Sequence, residues 1–229
     1  MLVVSNIDLM TNLPVMKPST FLESSIKDFT LNINNDYRYL KTGYYVSLHA
    51  EVLGNSVIPS SENAIDAYRT PILLLKASKA GIPTVPYIVT DSVKQIMAHF
   101  SFPLVVFAVN PFSFDGYKIV KNRSALYRAV KSLGMNYKFD VCVQPFMGEI
   151  LSFKSIFGKC PLEKGREISE KVYKTFKIPI CKLHVQYTEK GTYLCGLQPL
   201  EREEISAQDM KIISEGIYQF LKNGDSLIV

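Results

Sequence analysis

Short apolar segments alternate with a helical segment along the first part of the chain, and this alternation most constrains the fold. Residues 1–7 and 29–33 are predicted strands, residues 43–54 are a predicted helix ending at a glycine, and residues 55–59 form another predicted strand. Strands that alternate with helices are typical of a parallel α/β layer. We therefore predict an α/β fold that begins with a small parallel strand-helix layer.

The rest of the chain also mixes the two kinds of element. Helices are predicted at residues 66–80, 124–133, 163–176 and 206–221, with another that is capped at 90–92 and runs to residue 100. Strands are predicted at 82–89, 102–110, 141–147 and 152–159, with a loop and return strand within 113–120 and a hairpin that turns at Lys190 and Gly191. This order predicts two α+β lobes after the first layer. The predicted domains are residues 1–60, 61–147 and 148–229.

Composition and charge narrow the class of function. The 229 residues are 47% hydrophobic with 12 Gly and 12 Pro, which excludes disorder and coiled coil. The formal charge of +5 is a mild basic excess. One group of basic residues either attracts an anionic partner or forms a scattered solvated face, and the solvated face is preferred to a nucleic-acid site. Its members are Lys118, Lys121, Arg123, Arg128 and Lys131.

The cysteines and the longest apolar run indicate where in the cell the protein is expected to be. The four cysteines form no C-x-x-C pair, and the chain begins without a secretory pattern. The apolar run at 104–109 is far shorter than the roughly 20 residues of a membrane helix. We predict a cytoplasmic protein with reduced thiols and no membrane segment, in which Cys142 and Cys195 are buried as small hydrophobic side chains.

Several motifs resemble one known family. They are DYRYLKTGYYVSLHAEVLGNSVIPS at 36–60, KAGIPTVPYIVTD at 79–91, FPLVVFAVNPFSFDGYKIV at 102–120, VCVQPFMGE at 141–149 and GTYLCGLQPLE at 191–201. In this order they resemble the RimK-like ligases of the ATP-grasp superfamily, which join a carboxylate to an amine at the expense of ATP. The resemblance implies an ATP-grasp-like architecture and, as cofactors, ATP and magnesium.

The same resemblance implies phosphate-binding and metal-binding positions at which this chain departs from the family. Family members hold the phosphates with two lysines, where this chain has Thr70 and Phe107. They hold magnesium with a Glu and an Asn on the last strand, where this chain has Gly196 and Gln198. Phosphoryl transfer depends on such positioning charges, so their joint absence argues against ordinary ligase chemistry.

Other residues are candidates for a remaining nucleotide site. Gly116 and Lys118 form either a phosphate-binding loop or a simple hairpin turn. Gln144 either contacts an adenine edge from the hinge strand or belongs to a strand that leaves the sheet at a proline. No metal site is predicted, since the histidines at 49, 99 and 184 lie on different elements and are interpreted as structural or surface residues.

Two hypotheses of function follow. In the first, the chain is a degenerate RimK-like protein, a pseudoenzyme that binds a protein partner or a second copy and retains a nucleotide cleft. Its polar-aromatic binding surface would include Arg38, Tyr39, Tyr44 and Tyr45, although core packing is the common use of such tyrosines. The alternative is an active carboxylate-amine ligase with Lys154, Glu149 and Glu201 as catalytic candidates and Lys118 in support. The acidic run at 201–204 equally fits the solvated start of a helix.

Overall fold

The structure, a computed structural model, describes residues 1–9, 11, 14–109 and 116–222. The chain forms two compact units. Unit 1 comprises residues 1–65, 154–182 and 199–229, and unit 2 comprises residues 66–153 and 183–198. The predicted division at residues 60 and 147 is not tested by these units and stays a prediction.

Helices and strands follow one another throughout the described chain. In chain order they are β1 (Leu2–Ser5), β2 (Val15–Met16), α1 (Pro18–Leu22), β3 (Thr30–Ile33), α2 (Thr42–Val52), β4 (Val57–Ile58), α3 (Ser61–Ala67), α4 (Thr70–Lys79), β5 (Ile88–Thr90), α5 (Val93–His99), β6 (Leu104–Ala108), β7 (Tyr117–Val120), α6 (Arg123–Leu133), β8 (Val141–Pro145), β9 (Glu149–Ile156), α7 (Glu163–Phe176), β10 (Ile180–Thr188), β11 (Gly191–Gln198), a 3-10 helix (Arg202–Glu204) and α8 (Ala207–Lys222).

Unit 1 contains a parallel sheet with the strand order β2-β1-β3-β4. Val3 on β1 lies opposite Leu31 on β3. Both are buried in one core cluster with Ile213 and Ile217 of α8, because α8 repeats its apolar residues at helical spacing. The parallel layer predicted from the strand-helix alternation is confirmed.

Unit 2 contains an antiparallel sheet with the order β5-β8-β6-β7. Helix α6 buries Leu126, Ala129, Val130 and Leu133 against one face of this sheet, where alternate strand residues such as Val106 complete the core. A second antiparallel sheet has the order β11-β10-β9. The parallel and antiparallel sheets together confirm the mixed α/β fold class.

One predicted helix is wrong in its extent. The segment predicted as a single helix at 66–80 is divided between α3 and α4, with Arg69 in an extended conformation as the N-terminal cap of α4. Pro71 lies in the first turn of α4, where its missing N–H is tolerated, and it cannot continue a helix that began earlier. In the part of the chain that the structure describes, no helix combines the length and the apolar character that crossing a bilayer requires.

Candidate functional site

The candidate site lies in unit 2, on the sheet face opposite α6. Strand residues alternate between the two faces, so Val141 and Val143 of β8 pack on the α6 side while Cys142 lies on the other. On that second face Phe107 of β6 and Cys195 of β11 join Cys142 in a separate buried cluster. We call this second face, with the residues of β11 that pack on it, the inner face.

Phe107 and Gly196 contact each other directly on the inner face. Phe107 is 3% exposed, and a Cβ atom built on Gly196 would lie 2.6 Å from its Cε1 atom. A side chain at 196 is therefore excluded by the phenyl ring. The aromatic ring and the glycine thus form one complementary pair, at two of the positions where the resemblance implies a phosphate lysine and a metal-binding glutamate.

Gly116 and Gln198 form a second close contact at the start of β7. A Cβ atom on Gly116 would overlap Gln198 Nε2, so the glycine leaves room for the glutamine side chain rather than open space. Lys118 lies opposite Val106 in the ladder and so points to the α6 side of the sheet, where its Nζ donates to Ser132 Oγ at 3.0 Å. The structure therefore does not bring Lys118 to the inner face with Gly116.

Gln144 is buried on the inner face beside Cys142. Its Nε2 donates to the carbonyl oxygen of Cys195 at 2.9 Å. Its Oε1 accepts no hydrogen bond from any residue that the structure describes, although the side chain is 0% exposed. A buried carbonyl oxygen without a partner is unfavourable, so Gln144 Oε1 is an acceptor that the described residues leave unsatisfied.

Three side chains continue the inner face toward β9 and β10. Tyr117 packs against Phe107 with ring centroids 5.2 Å apart and against His184 at 5.3 Å. Ser152 Oγ and His184 Nδ1 are hydrogen-bonded at 2.7 Å. His184 is 3% exposed among these rings, which agrees with the structural role predicted for it.

Burial disfavours the reactive form of the inner-face thiols. Burial raises the pKa of Cys142 to about 12 and also raises the pKa of Cys195. Both are free and buried, as predicted from their strand positions. The uncharged thiol predominates at neutral pH, and the reactive thiolate is scarce.

Lys154, the first catalytic candidate, lies in unit 1 and is committed to an ion pair. Its Nζ donates to Asp209 Oδ2 and to the carbonyl oxygen of Glu204, both at 2.6 Å. Burial alone would raise the pKa of Asp209, but hydrogen bonds from Lys154 and Ser206 outweigh it and leave that pKa below its ordinary value. Asp209 and Ser206 were missed in the sequence, although Ser-x-x-Asp is a signal for a helix start.

The acidic candidates occupy structural or exposed positions. Glu201 and Glu204 form a capping box around the 3-10 helix, in which each side chain accepts the backbone N–H of the other residue. Glu204 also pairs with Lys182 at 2.5 Å. Glu149 is exposed at the first position of β9. The interpretation of the acidic run as a helix start agrees with this capping box, which precedes α8.

The motif at 36–60 lies in unit 1, and part of it forms a buried polar network instead of an open binding surface. Tyr37 is 0% exposed, and its hydroxyl donates to the Asn32 carbonyl and accepts the Asn34 N–H, both at 2.9 Å. Gly43 is required because a Cβ atom there would lie 2.5 Å from the Asp36 carbonyl oxygen.

The four predicted surface residues of this motif divide into two groups. Arg38 is hydrogen-bonded to the Asp36 carboxylate by two nitrogens, and Tyr44 is buried. Tyr39 and Tyr45 remain partly exposed, each edge-to-face with Tyr44. The motif therefore supplies both core packing and an exposed aromatic pair.

Comparison with known proteins identifies the family. The family model described as RimK-like ATP-grasp N-terminal domain matches residues 21–215. The chain belongs to this family. The RimK-like resemblance seen in the sequence is thereby confirmed, and a search of curated proteins gave no match.

Solved structures share the fold of this RimK-like protein. A RimK-domain ATP-grasp protein from Sphaerobacter thermophilus DSM 20745 is 12% identical with a TM-score of 0.66, over 96% of this chain and 99% of that one. The D-alanine–D-alanine ligase from Bacillus anthracis is 15% identical with a TM-score of 0.67, over 97% of each chain. The ATP-grasp ligase PsnB, solved with a precursor variant, Mg and ADP, is 14% identical with a TM-score of 0.56, over 77% of this chain and 65% of that one. Likeness at these identities establishes the ATP-grasp fold alone.

The magnesium that the family implies does not fit the corresponding residues of this RimK-like protein. Magnesium requires hard oxygen ligands, usually carboxylates. Gly196 offers no side chain, and Gln198 offers one neutral amide, which lies against Gly116. Among the described residues, no group of three or more His, Cys, Asp or Glu is arranged to hold a metal ion.

Proposed function

We propose that this RimK-like ATP-grasp protein does not carry out ligase chemistry and acts as a binding or interaction protein that retains the adenine end of a nucleotide cleft. The observation that carries the proposal is the contact between Phe107 and Gly196. Each substitution alone removes a group that phosphoryl transfer uses, and the Phe107 ring occupies the space that a side chain at position 196 would need. Two replacements that fit each other are expected in a protein whose phosphate site is no longer used.

The alternative, an active ligase, finds less support in its named residues. Lys154 is neutralised by Asp209 at 2.6 Å, and Glu201 caps a short helix. Lys118 is hydrogen-bonded to α6 on the opposite side of the sheet from Phe107. Each of these three side chains is already engaged in another contact, so none is placed to bind an acyl phosphate or an amine.

Gln144 supports the retained nucleotide cleft. Its buried Oε1 accepts no hydrogen bond from the described residues, and the exocyclic amine of an adenine is a suitable donor. The proposal therefore separates the two ends of ATP: the base is recognised and the triphosphate is not.

Other parts of the proposal concern partners and location. The exposed rings of Tyr39 and Tyr45 are suited to a protein partner or a second copy of this chain, since tyrosine is frequent at specific contacts. Free, buried cysteines fit a cytoplasmic location. Nucleic acid and membrane are not part of the proposed function.

Calorimetric titration tests this proposal with adenosine, ATP, and ATP with magnesium, alongside an assay for ADP release with mixed amino acids. We expect adenosine and ATP to bind within about tenfold of each other, which is about 1.4 kcal/mol. No ADP release is expected. Gln144→Leu should weaken all three ligands equally, whereas Lys118→Ala, Lys154→Ala and the exposed control Lys94→Ala should not change binding.

Three results would each overturn the proposal or one part of it. ADP release that depends on an added carboxylate and amine would establish a ligase. Binding of ATP with magnesium more than about a hundredfold tighter than adenosine would show a working phosphate site. Absence of any nucleotide binding up to about 1 mM would remove the retained cleft.

A further inference from the structure

The net positive charge of the chain is concentrated in one segment. Between Asp115 and Asp140 the sequence has no Asp or Glu and six basic residues, Lys118, Lys121, Arg123, Arg128, Lys131 and Lys138. The formal charge of this segment, +6, exceeds the +5 of the whole chain. In unit 2 the segment forms β7, α6 and the turns that follow, and two of these charges, Lys118 and Arg128, line one groove.

A groove runs between β7 and α6 in this region. Its volume is about 500 Å³, and one wall is the strand from Lys118 to Val120. The other wall is a stripe of α6 with Ala125, Ala129 and Ser132, small residues at helical spacing that leave room beside the strand. Arg128 also lines the groove. The groove is therefore lined by small side chains of α6 and by the cations Lys118 and Arg128.

Strand β7 presents an edge along this groove. It is the last strand of its sheet in the order β5-β8-β6-β7. The Ala108 N–H donates to the Gly116 carbonyl, so Gly116 and every second residue after it direct their backbone groups toward β6. Tyr117 and Ile119 consequently direct their N–H and C=O groups outward. Such an edge is a template for one more strand.

We propose that the groove binds an extended acidic segment of another protein, which adds as a strand along β7. Its backbone would pair with Tyr117 and Ile119, and its carboxylates would lie near Lys118 and Arg128. The main-chain hydrogen bonds supply affinity and the charges supply specificity, as in other cases of strand addition. This inference rests on the proposed function, because it names the chemistry of one partner.

Two other occupants fit the groove less well. A second copy of this chain, paired edge to edge through β7, would bring two basic strands together and is opposed by charge repulsion. A nucleic acid has no repeating backbone amides to form a strand ladder with the outward backbone of β7, and the stripe of Ala125, Ala129 and Ser132 offers no ring for stacking. The edge and the charges together favour an acidic polypeptide.

Fluorescence anisotropy of the full chain with a labelled octapeptide of alternating Thr and Glu tests this inference. We expect saturable binding that weakens as sodium chloride is raised. Arg128→Glu should weaken binding roughly tenfold, and the exposed control Lys94→Glu, with the same change in charge, should have less than about a twofold effect. Ile119→Pro removes an outward N–H without touching the ladder to β6 and should also weaken binding about tenfold.

The backbone contribution is tested without any protein variant. The same peptide with N-methyl groups on alternate residues cannot form the strand ladder, so it should lose binding even if Ile119→Pro does not fold. A peptide of alternating Thr and Lys should not bind. Any of three results would overturn the inference. They are equal affinity for the N-methylated or the Thr-Lys peptide, no binding of the Thr-Glu peptide up to about 1 mM, and tighter binding of a single-stranded oligonucleotide.

This test is separate from the test of the proposed function. Absence of peptide binding together with absence of ADP release would overturn the acidic-peptide inference alone. ADP release that requires an amine and a carboxylate would overturn the proposed function, whether or not the peptide binds.

Discussion

The pairing of Phe107 with Gly196 predicts strong coupling between substitutions at the two positions. Gly196→Ala places a methyl carbon 2.6 Å from Phe107 Cε1, whereas carbon atoms in contact are about 3.5–4.0 Å apart. The ring must therefore move by about 1 Å inside a packed cluster. Overpacking of this kind costs about 1–3 kcal/mol in the free energy of unfolding.

The cost should largely disappear when the ring is removed. Phe107→Leu deletes the atoms that the new methyl meets, and alone it should destabilise the protein by about 1–2 kcal/mol through lost burial. In the Leu background, Gly196→Ala should cost less than about 0.5 kcal/mol. The double variant is then more stable than the sum of the single changes predicts, by about 1–2 kcal/mol.

Urea unfolding of the four proteins, followed by circular dichroism, measures this coupling directly. Phe176→Leu is the matched control, because it is the same chemical change at a buried phenylalanine of the other unit. Its effect should add to that of Gly196→Ala within about 0.5 kcal/mol. Additive effects of Phe107→Leu and Gly196→Ala would refute the reasoning that the ring and the glycine are complementary.

Three further predictions concern other parts of the structure. Asp209→Asn should lower the free energy of unfolding by about 1.5–3 kcal/mol near neutral pH because it breaks the pair with Lys154. The pKa of Asp209 in the folded protein lies below the ordinary value of 3.8. The extra free energy of unfolding of the wild type should therefore be fully present above about pH 4 and vanish as the pH falls through that folded pKa. A stability difference that does not depend on pH would contradict this prediction. Tyr37→Phe leaves two buried backbone groups without partners and should cost about 1–3 kcal/mol in urea unfolding, whereas an unchanged midpoint would show a dispensable hydroxyl. Cys142 and Cys195 should resist a thiol reagent at pH 8 until urea is added, because burial raises the pKa of both; labelling of either in the native protein would contradict their burial.

The sequence predicts the elements well where local signals decide them. The helix predicted at 163–176 is α7 itself, because its apolar residues repeat at helical spacing and an αL residue, Lys177, ends it. The hairpin of β10 and β11 turns where Lys190 and Gly191 indicated. Pro71 was visible in the sequence, yet the helix at 66–80 was predicted to continue through it because the apolar pattern of α4 dominated.

The candidate site could be predicted only in part. Phe107 and Gly196 each depart from the family pattern, but their mutual contact joins two distant strands and depends on tertiary packing. Lys154 is a similar case, since its carboxylate partner Asp209 lies 55 residues away. Sequence patterns identify the residue types at such positions, whereas pairing across strands decides whether a charge is available for chemistry.

The core of unit 1 has a consequence for the way the protein is made. The apolar cluster that holds Val3 and Leu31 is completed by Ile213 and Ile217, and Asn35 bonds to the Leu200 carbonyl, 165 residues later. During synthesis on the ribosome, β1 and β3 therefore emerge long before α8, the helix that covers them. Contacts of such long sequence separation slow folding and leave apolar surface open to aggregation or to chaperones in the meantime. The strands of this layer stay vulnerable until residues 213–217 have been translated.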